Sequence, residues 1–372
     1  MPLFKHYKQF EALSEEEVNV GKRAVAAERR AKELARVEPL DLARTTWPEY
    51  PPPVIVNAIT YAARRGLHRY IDRHATTLRA ELAHRHGVPP GRLVVGDGAA
   101  QLLSAATQAL IEPDDELVTP WPGYGLHPLM ARRARGHAVP VPGFGVDALL
   151  SAVNPRTRIV ALANPNDPTG ELLGADELRR LLDALPERVV VLLDEALRDF
   201  VDAEEPDAAL RLVDAFPRLL VFRTFSKAWG LAGLRVGYAI GGEGAEPLLE
   251  QLEPELGLNE LAQAGALEAL RTASGLAALR GGRVALARAE LVEALGERPG
   301  LAVPPSQANV LWLRADGLPG AELAARLART SVGVAAGGPL GDPGAVRVTV
   351  PHRPEHAERL LHALDLAQGR AG

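Results

Sequence analysis

The 372-residue chain has no cysteine. Disulfides, thiolate nucleophiles, cysteine zinc sites and iron–sulfur clusters are excluded together, and a reducing compartment fits. No apolar run approaches membrane length. The longest aliphatic stretch, Val189 to Leu193, is far short of the roughly 20 residues of a spanning helix. The opening residues, MPLFKHYKQFEALSEEE, lack the apolar core of a signal peptide. An excess of positive charge is also missing. The net charge is −5 and the pI about 6.1, so no nucleic-acid footprint exists at whole-chain level. Ten histidines are scattered, with no H-E-x-x-H and no metal spacing. Neither a G-x-S-x-G elbow nor a P-loop occurs. What remains is an ordinary globular composition, 47% hydrophobic and 24% charged, long enough for about two domains of roughly 150 residues. These features predict a soluble, cytoplasmic protein that takes small molecules and no metal.

Lysine is scarce in a more telling way. Of 42 basic residues only five are lysine, and four of these lie in the first 32 positions: Lys5, Lys8, Lys22 and Lys32. Beyond them there is Lys227 alone. Arginine serves wherever a generic cation suffices, but arginine cannot form an imine and lysine can.

Along the chain, residues 11–36 mix acidic and basic residues with Ala, Leu and Val and read as an exposed helix. Residues 39–53 carry five prolines and read as irregular. Apolar strands are expected near 93–95, 116–119, 138–141, 158–162, 189–193, 219–222 and 234–240. Helical periodicity marks about 72–86, 99–111, 123–134, 175–184 and 207–215. This alternation predicts an α/β domain with a mostly parallel sheet. Residues 258–298 read as long Ala/Leu-rich helix, and 301–372 as a smaller α+β unit.

Several motifs sit between these elements. Ser226-Lys227-Ala228-Trp229-Gly230-Leu231-Ala232-Gly233-Leu234-Arg235 joins two strands. A lone lysine in such a loop reaches a cofactor aldehyde or is a surface lysine in a turn. Ser226 and the planar fork of Arg235 suit a phosphate. Asp194-Glu195 ends an apolar strand at the edge where α/β sheets bind ligands. Asn164-Pro165-Asn166-Asp167-Pro168-Thr169-Gly170 follows the 158–162 strand as a ligand-facing turn or an ordinary one. Gly96-Asp97-Gly98 precedes a helix and begins a dinucleotide fingerprint, but Gln101 replaces its third glycine. The helix N-terminus still offers N–H groups to one phosphate. Tyr124 either faces a planar ring or is a core residue. Arg347, in Val346-Arg347-Val348-Thr349-Val350, is either half-buried against a carboxylate or on the solvent face, and alternation alone favours the solvent face.

Taken in order, G-x-G at 96–98, P-x-Y at 122–124, N-P-N-x-P-T-G at 164–170, D-E-A at 194–196, S-K-A-x-G-L-A-G-L-R at 226–235 and the late V-R-V-T-V resemble fold-type I, pyridoxal-phosphate-dependent aminotransferases of class I/II. The nearest resemblance is to histidinol-phosphate aminotransferases and the related threonine-phosphate decarboxylases, over about residues 50–365. It implies a large domain (66–285) with a mostly parallel seven-stranded sheet flanked by helices. A smaller α+β domain (286–372) and an N-terminal arm (1–65) that joins it in part complete the chain.

The resemblance also implies roles. Lys227 forms the Schiff base with pyridoxal phosphate and later moves the proton. Asp194 pairs with the pyridine nitrogen, and Tyr124 stacks on the ring. Ser226, Arg235 and the backbone of Gly98, Ala99 and Ala100 hold the phosphate. Tyr70 reaches the phosphate of a neighbouring subunit in a homodimer with shared sites. Arg347 binds the substrate α-carboxylate, and Asn309 opens the second-domain strand.

Departures matter equally. Asp167 stands where the family has Asn, and Leu197 where it has Tyr, so both usual partners of the cofactor phenolate oxygen are altered. An ionised Asp167 cannot donate to that oxygen, so three readings stay open: a protonated Asp167, one turned away, or altered cofactor electronics. The substrate-loop N-E-N-P-Y reads Thr45-Thr46-Trp47-Pro48-Glu49, and the phosphate-gripping V-R reads Ala335-Ala336-Gly337. These argue for a substrate other than histidinol phosphate, with Trp47 lining the pocket. The expected activity is amino transfer between an amino acid or amine and a 2-oxo acid. A decarboxylase of the threonine-phosphate type and a non-catalytic cofactor-binding protein are the alternatives.

Overall fold

The structure is a computed structural model that describes residues 19–25 and 38–370. Of the helix expected at 11–36, residues 19–25 are helical and the rest lie outside the described residues. The chain then enters through a two-residue strand, β1 (Leu40–Asp41). Seven strands follow: β2 (Leu93–Gly96), β3 (Glu116–Trp121), β4 (His137–Pro142), β5 (Thr157–Ala163), β6 (Val190–Asp194), β7 (Leu219–Thr224) and β8 (Gly237–Gly241). They form one sheet in the order β2-β8-β7-β6-β5-β3-β4. Only β8 runs against the others, pairing antiparallel with both β7 and β2.

The sequence explains this sheet. Val191, Leu192 and Leu193 are fully buried, as are Leu219 to Phe222. Continuous apolar runs of this kind suit strands covered on both faces, where alternation is lost. The helices Ala99–Leu110 and Glu246–Leu252 pack on one face, with Leu102, Leu103, Leu192, Leu220 and Leu249 in one apolar cluster.

Some elements differ from expectation. Pro51 and Pro52 are irregular as expected, but an unforeseen helix starts at Pro53 and runs to Gly66. Proline is pre-organised for the first helical turn, where its missing N–H costs nothing. The stretch 207–215 contracts to a 3₁₀ turn at Leu210–Leu212. The long 258–298 pattern divides into Glu260–Thr272 and Leu276–Gly296. The second of these runs continuously across the domain boundary expected at 285/286.

The smaller unit holds β9 (Leu301–Ala302), β10 (Val310–Ala315), β11 (Val332–Gly333), β12 (Ala335–Ala336) and β13 (Ala345–Thr349). Four of them form a sheet ordered β12-β13-β10-β9, while β11 pairs in parallel with β1. The segment after β1 continues this junction: Thr349 N donates to Leu42 O, and Asn309 Nδ2 donates to Thr45 O at 3.1 Å. Residues 40–47 are thereby carried over the large sheet by the smaller one. Among the described residues no helix is long and apolar enough to cross a membrane.

Candidate active site

The parallel strands deliver the motifs to one edge. Gly98 follows β2, Tyr124 follows β3, the 164–170 turn follows β5, Asp194 ends β6 and Lys227 follows β7. Arg235 precedes the reversed β8 and so reaches the same edge. This is the carboxyl edge where open α/β sheets bind ligands. A cavity of about 180 Å³ lies there, lined by Ala99, Ala100, Tyr124, Asp167, Asp194, Leu197, Ser226, Lys227 and Arg235, among others.

One end is built for an anion. Thr224 Oγ1 lies within hydrogen-bond distance of Ser226 Oγ at 3.0 Å, and Arg235 Nη1 donates to Ser226 Oγ at 3.2 Å. The helix Ala99–Leu110 starts beside them, and its first N–H groups have no intrahelical partner. Glycine keeps the approach open. A Cβ on Gly98, at φ +85°, would lie 2.5 Å from Arg235 Nη2, and one on Gly237 would lie 2.2 Å from Ala99 N.

The middle is built for a cation. Asp194 is 5% exposed and accepts Ala196 N–H at 3.0 Å. Burial pushes its carboxyl up to about 6, against that hydrogen bond and nearby Lys227. Lys227 Nζ donates to Thr45 Oγ1. Burial lowers its pKa, opposed by Asp167 and Asp194 and assisted by Arg347 and Arg235. Burial, with Asp194 and Asp167 nearby, pushes the Tyr124 phenol up to about 12, so it stays neutral. Tyr124 meets His127 edge-on at 5.5 Å and 86°. Burial pushes His127 down to about 4 and keeps it uncharged.

Of the two expectations for Arg347, the structure shows the half-buried one, against a carboxylate, and not the solvent face that alternation favours. Its neighbours Val346 and Val348 are buried, as alternation requires. The opposite face of β13 is covered by the 40–47 segment and the turn after β5. Arg347 Nη1 donates to Asp167 Oδ1 at 2.6 Å, and Nη2 donates to Ala43 O at 2.8 Å. Asp167 therefore faces Arg347, and among the described residues this ion pair is what distinguishes it from the expected Asn.

Trp47 does not line this cavity. Its ring stacks between Arg280, whose Cζ lies 4.6 Å from the centroid, and His352 at 4.6 Å. It walls a neighbouring cavity, and Thr46 faces both. Arg280 also donates to Ala228 O at 2.8 Å, bracing the Lys227 loop. Tyr70 lies outside the Lys227 cavity of its own chain and is fully exposed. Thr45, His127 and Arg280 were not singled out as site residues in the sequence. Only the T-T-W-P-E segment signalled the first, and no motif signalled the other two.

The family model described as "Aminotransferase class I and II" matches residues 37–364. The chain belongs to the class I and II aminotransferases. It is similar to an aromatic amino acid aminotransferase of Corynebacterium efficiens, 37% identical with 84% of this chain and 89% of that protein covered. It is also similar to histidinol-phosphate aminotransferase 2 of Ralstonia nicotianae, 36% identical with 83% and 84% covered. Among solved structures, the histidinol-phosphate aminotransferase of Sinorhizobium meliloti in complex with pyridoxal 5′-phosphate superposes with a TM-score of 0.79. The identity is 25% there, over 92% of this chain and 95% of that one. This aminotransferase is pyridoxal-phosphate-dependent, and its cavity fits the cofactor. The anion end is walled by main chain and hydroxyl groups, and the buried Asp194 lacks a cation within salt-bridge distance among the described residues.

Proposed function

We propose that this aminotransferase moves an amino group between an amine or amino acid and a 2-oxo acid, at the cavity around Lys227, as a cytoplasmic homodimer. The observation that carries the reading is the convergence of Lys227, Asp194 and the Ser226–Arg235 anion end in one buried cavity. When bound, pyridoxal phosphate supplies an aldehyde that takes the amine and a ring that draws electrons from the Cα–H bond. Lys227 Nζ holds the cofactor and, once released, takes the proton from the substrate Cα. Its lowered pKa favours the free amine that this requires. Asp194 would offer the ring nitrogen a carboxylate, and its burial would keep water from that group. Tyr124, neutral and propped by His127, backs the ring. Ser226, Arg235 and the N–H groups of Ala99 and Ala100 hold the phosphate. Arg347 is the cation for whichever half-substrate bears a carboxylate.

Relatives named for aromatic amino acids and for histidinol phosphate bracket the substrate. The first group is favoured here. At β12, Ala335-Ala336-Gly337 offers no cation to a substrate phosphate, and Ala335 lies directly across from Arg347. A non-phosphorylated donor with an apolar side chain fits. The dimer reading rests on exposed apolar residues at one end of the molecule: Val54, Val56, Tyr61, Leu67 and Tyr70. Ile55 is fully buried and does not serve such an interface, while Ile59 is half-buried against the core.

The test is a screen of amino donors against the cofactor-loaded protein. Conversion of the cofactor spectrum with stoichiometric carbonyl product, a 2-oxo acid from an amino acid or an aldehyde or ketone from an amine, supports the reading. Release of CO₂, or an unchanged spectrum with every donor, overturns it.

A further inference from the structure

Asp167 lines the cavity and is ion-paired at 2.6 Å with Arg347, which is not itself among the lining residues. Their side chains are 13% and 14% exposed. Asp167 is held by its turn: the neighbouring Asn166 Nδ2 donates to Pro122 O and Thr169 Oγ1 at 3.1 and 2.8 Å, and Gly170 N donates to Asn166 O at 2.7 Å. Arg347 is held in β13 between Trp312 of β10 and Ala335 of β12. Its Nε is buried without a hydrogen-bond partner, and Nη2 is engaged by Ala43 O. A carboxylate grips arginine best through two parallel N–H donors. Here the two terminal nitrogens are divided between a resident carboxylate and a main-chain carbonyl.

We propose that Asp167 is a built-in carboxylate ligand of Arg347 that discriminates against α-carboxylates, so that the half-substrate this site receives best is a primary amine without one. The proposal rests on the aminotransferase reading of the site. An incoming α-carboxylate must displace Asp167 from Nη1 or lie beside it as a like charge. An amine without that group leaves the pair intact. A 2-oxo acid acceptor meets the same obstacle, so its KM is high. Asp167 acts through Arg347 and is a positioning residue for specificity.

The test pairs donors that differ only in the carboxylate, 2-phenylethylamine and phenylalanine, in single half-reactions of the cofactor-loaded enzyme. Calorimetric titration with the unreactive carboxylate 3-phenylpropionate accompanies them. Wild type should favour the amine. Asp167→Asn should shift the ratio toward phenylalanine by about tenfold or more, the scale of one charged hydrogen bond. It should tighten 3-phenylpropionate by a similar factor. Neither gain should appear when Arg347→Ala is already present. An unmoved ratio and titration, or the same gain without Arg347, overturns the proposal. Asp167→Ala provides a second variant, with circular dichroism to certify folding. If wild type converts neither donor, the substrate reading fails on its own. The titration then still decides the proposal: tightening in Asp167→Asn sustains it, and no tightening refutes it.

Discussion

Removing the charge of Asp194 should stabilise the cofactor-free protein while weakening its grip on the cofactor. Asp194 is buried at the end of β6, and its carboxyl is raised from 3.8 to about 6. Between those values the folded chain binds a proton that the unfolded chain does not. Stability therefore falls as pH rises from about 4 through about 6, and stays lowered above that range. At roughly 1.36 kcal/mol per pKa unit the ionised carboxylate costs about 3 kcal/mol at pH 8. Asp194→Asn keeps an oxygen to accept Ala196 N–H and removes this cost. Its added amide donors lose hydration, which returns about 1 kcal/mol or more. The net gain should be about 1–2 kcal/mol at pH 8 and should fade toward pH 4.

Urea denaturation of the cofactor-free variant and wild type at pH 8 and at pH 4.5 measures this directly. In loaded protein the order reverses, because the carboxylate then has its cationic partner. Breaking a buried ion pair costs about 3–5 kcal/mol, so cofactor affinity should fall a hundredfold or more. A variant less stable than wild type at pH 8, or a difference that does not change with pH, would refute the assignment of Asp194 as an uncompensated buried charge.

Other substitutions separate the remaining roles. Lys227→Arg should keep the charge and lose turnover, and borohydride reduction of wild type should fix the cofactor to the peptide containing residue 227; label on Lys22 or Lys32 contradicts this. Gly98→Ala places a methyl against Arg235 at φ 85° and ψ 158°, a region essentially confined to glycine, costing about 1–3 kcal/mol in backbone strain alone, and should loosen cofactor retention measured by equilibrium dialysis. Arg347→Ala should raise KM for 2-oxo acid acceptors far more than for amines; an equal loss marks a structural residue. Mixing Lys227→Ala chains with Tyr70→Phe chains should give activity above either parent if Tyr70 serves the partner's site, since one site of each mixed dimer is then intact.

Much of the large sheet was legible because its strands are buried on both faces and its motifs sit at strand ends. Leu192 to Asp194 illustrates both points: an apolar run that names the strand, then an acid that names the edge. Lys227 was legible through its isolation. The helix Pro53–Gly66 was not, because three prolines read as a break although the last of them opens the helix. Trp47, expected to line the substrate pocket, lies in the cavity beside the Lys227 one, since nothing local tells that Arg280 and His352 pack against its ring. Arg347 shows the limit most clearly. Period-two alternation correctly gives Val346 and Val348 to the core, and by the same rule gives Arg347 to water. The rule cannot know that a second domain lays residues 40–47 and the turn after β5 over that face. The pairing of Arg347 with Asp167 spans 180 residues. Each residue was noticed separately, one as a carboxylate anchor and one as an odd replacement for Asn. Neither local pattern could join them. Their meeting joins two unrelated observations into the proposal about specificity: the arginine expected to bind a substrate carboxylate already holds one from its own chain.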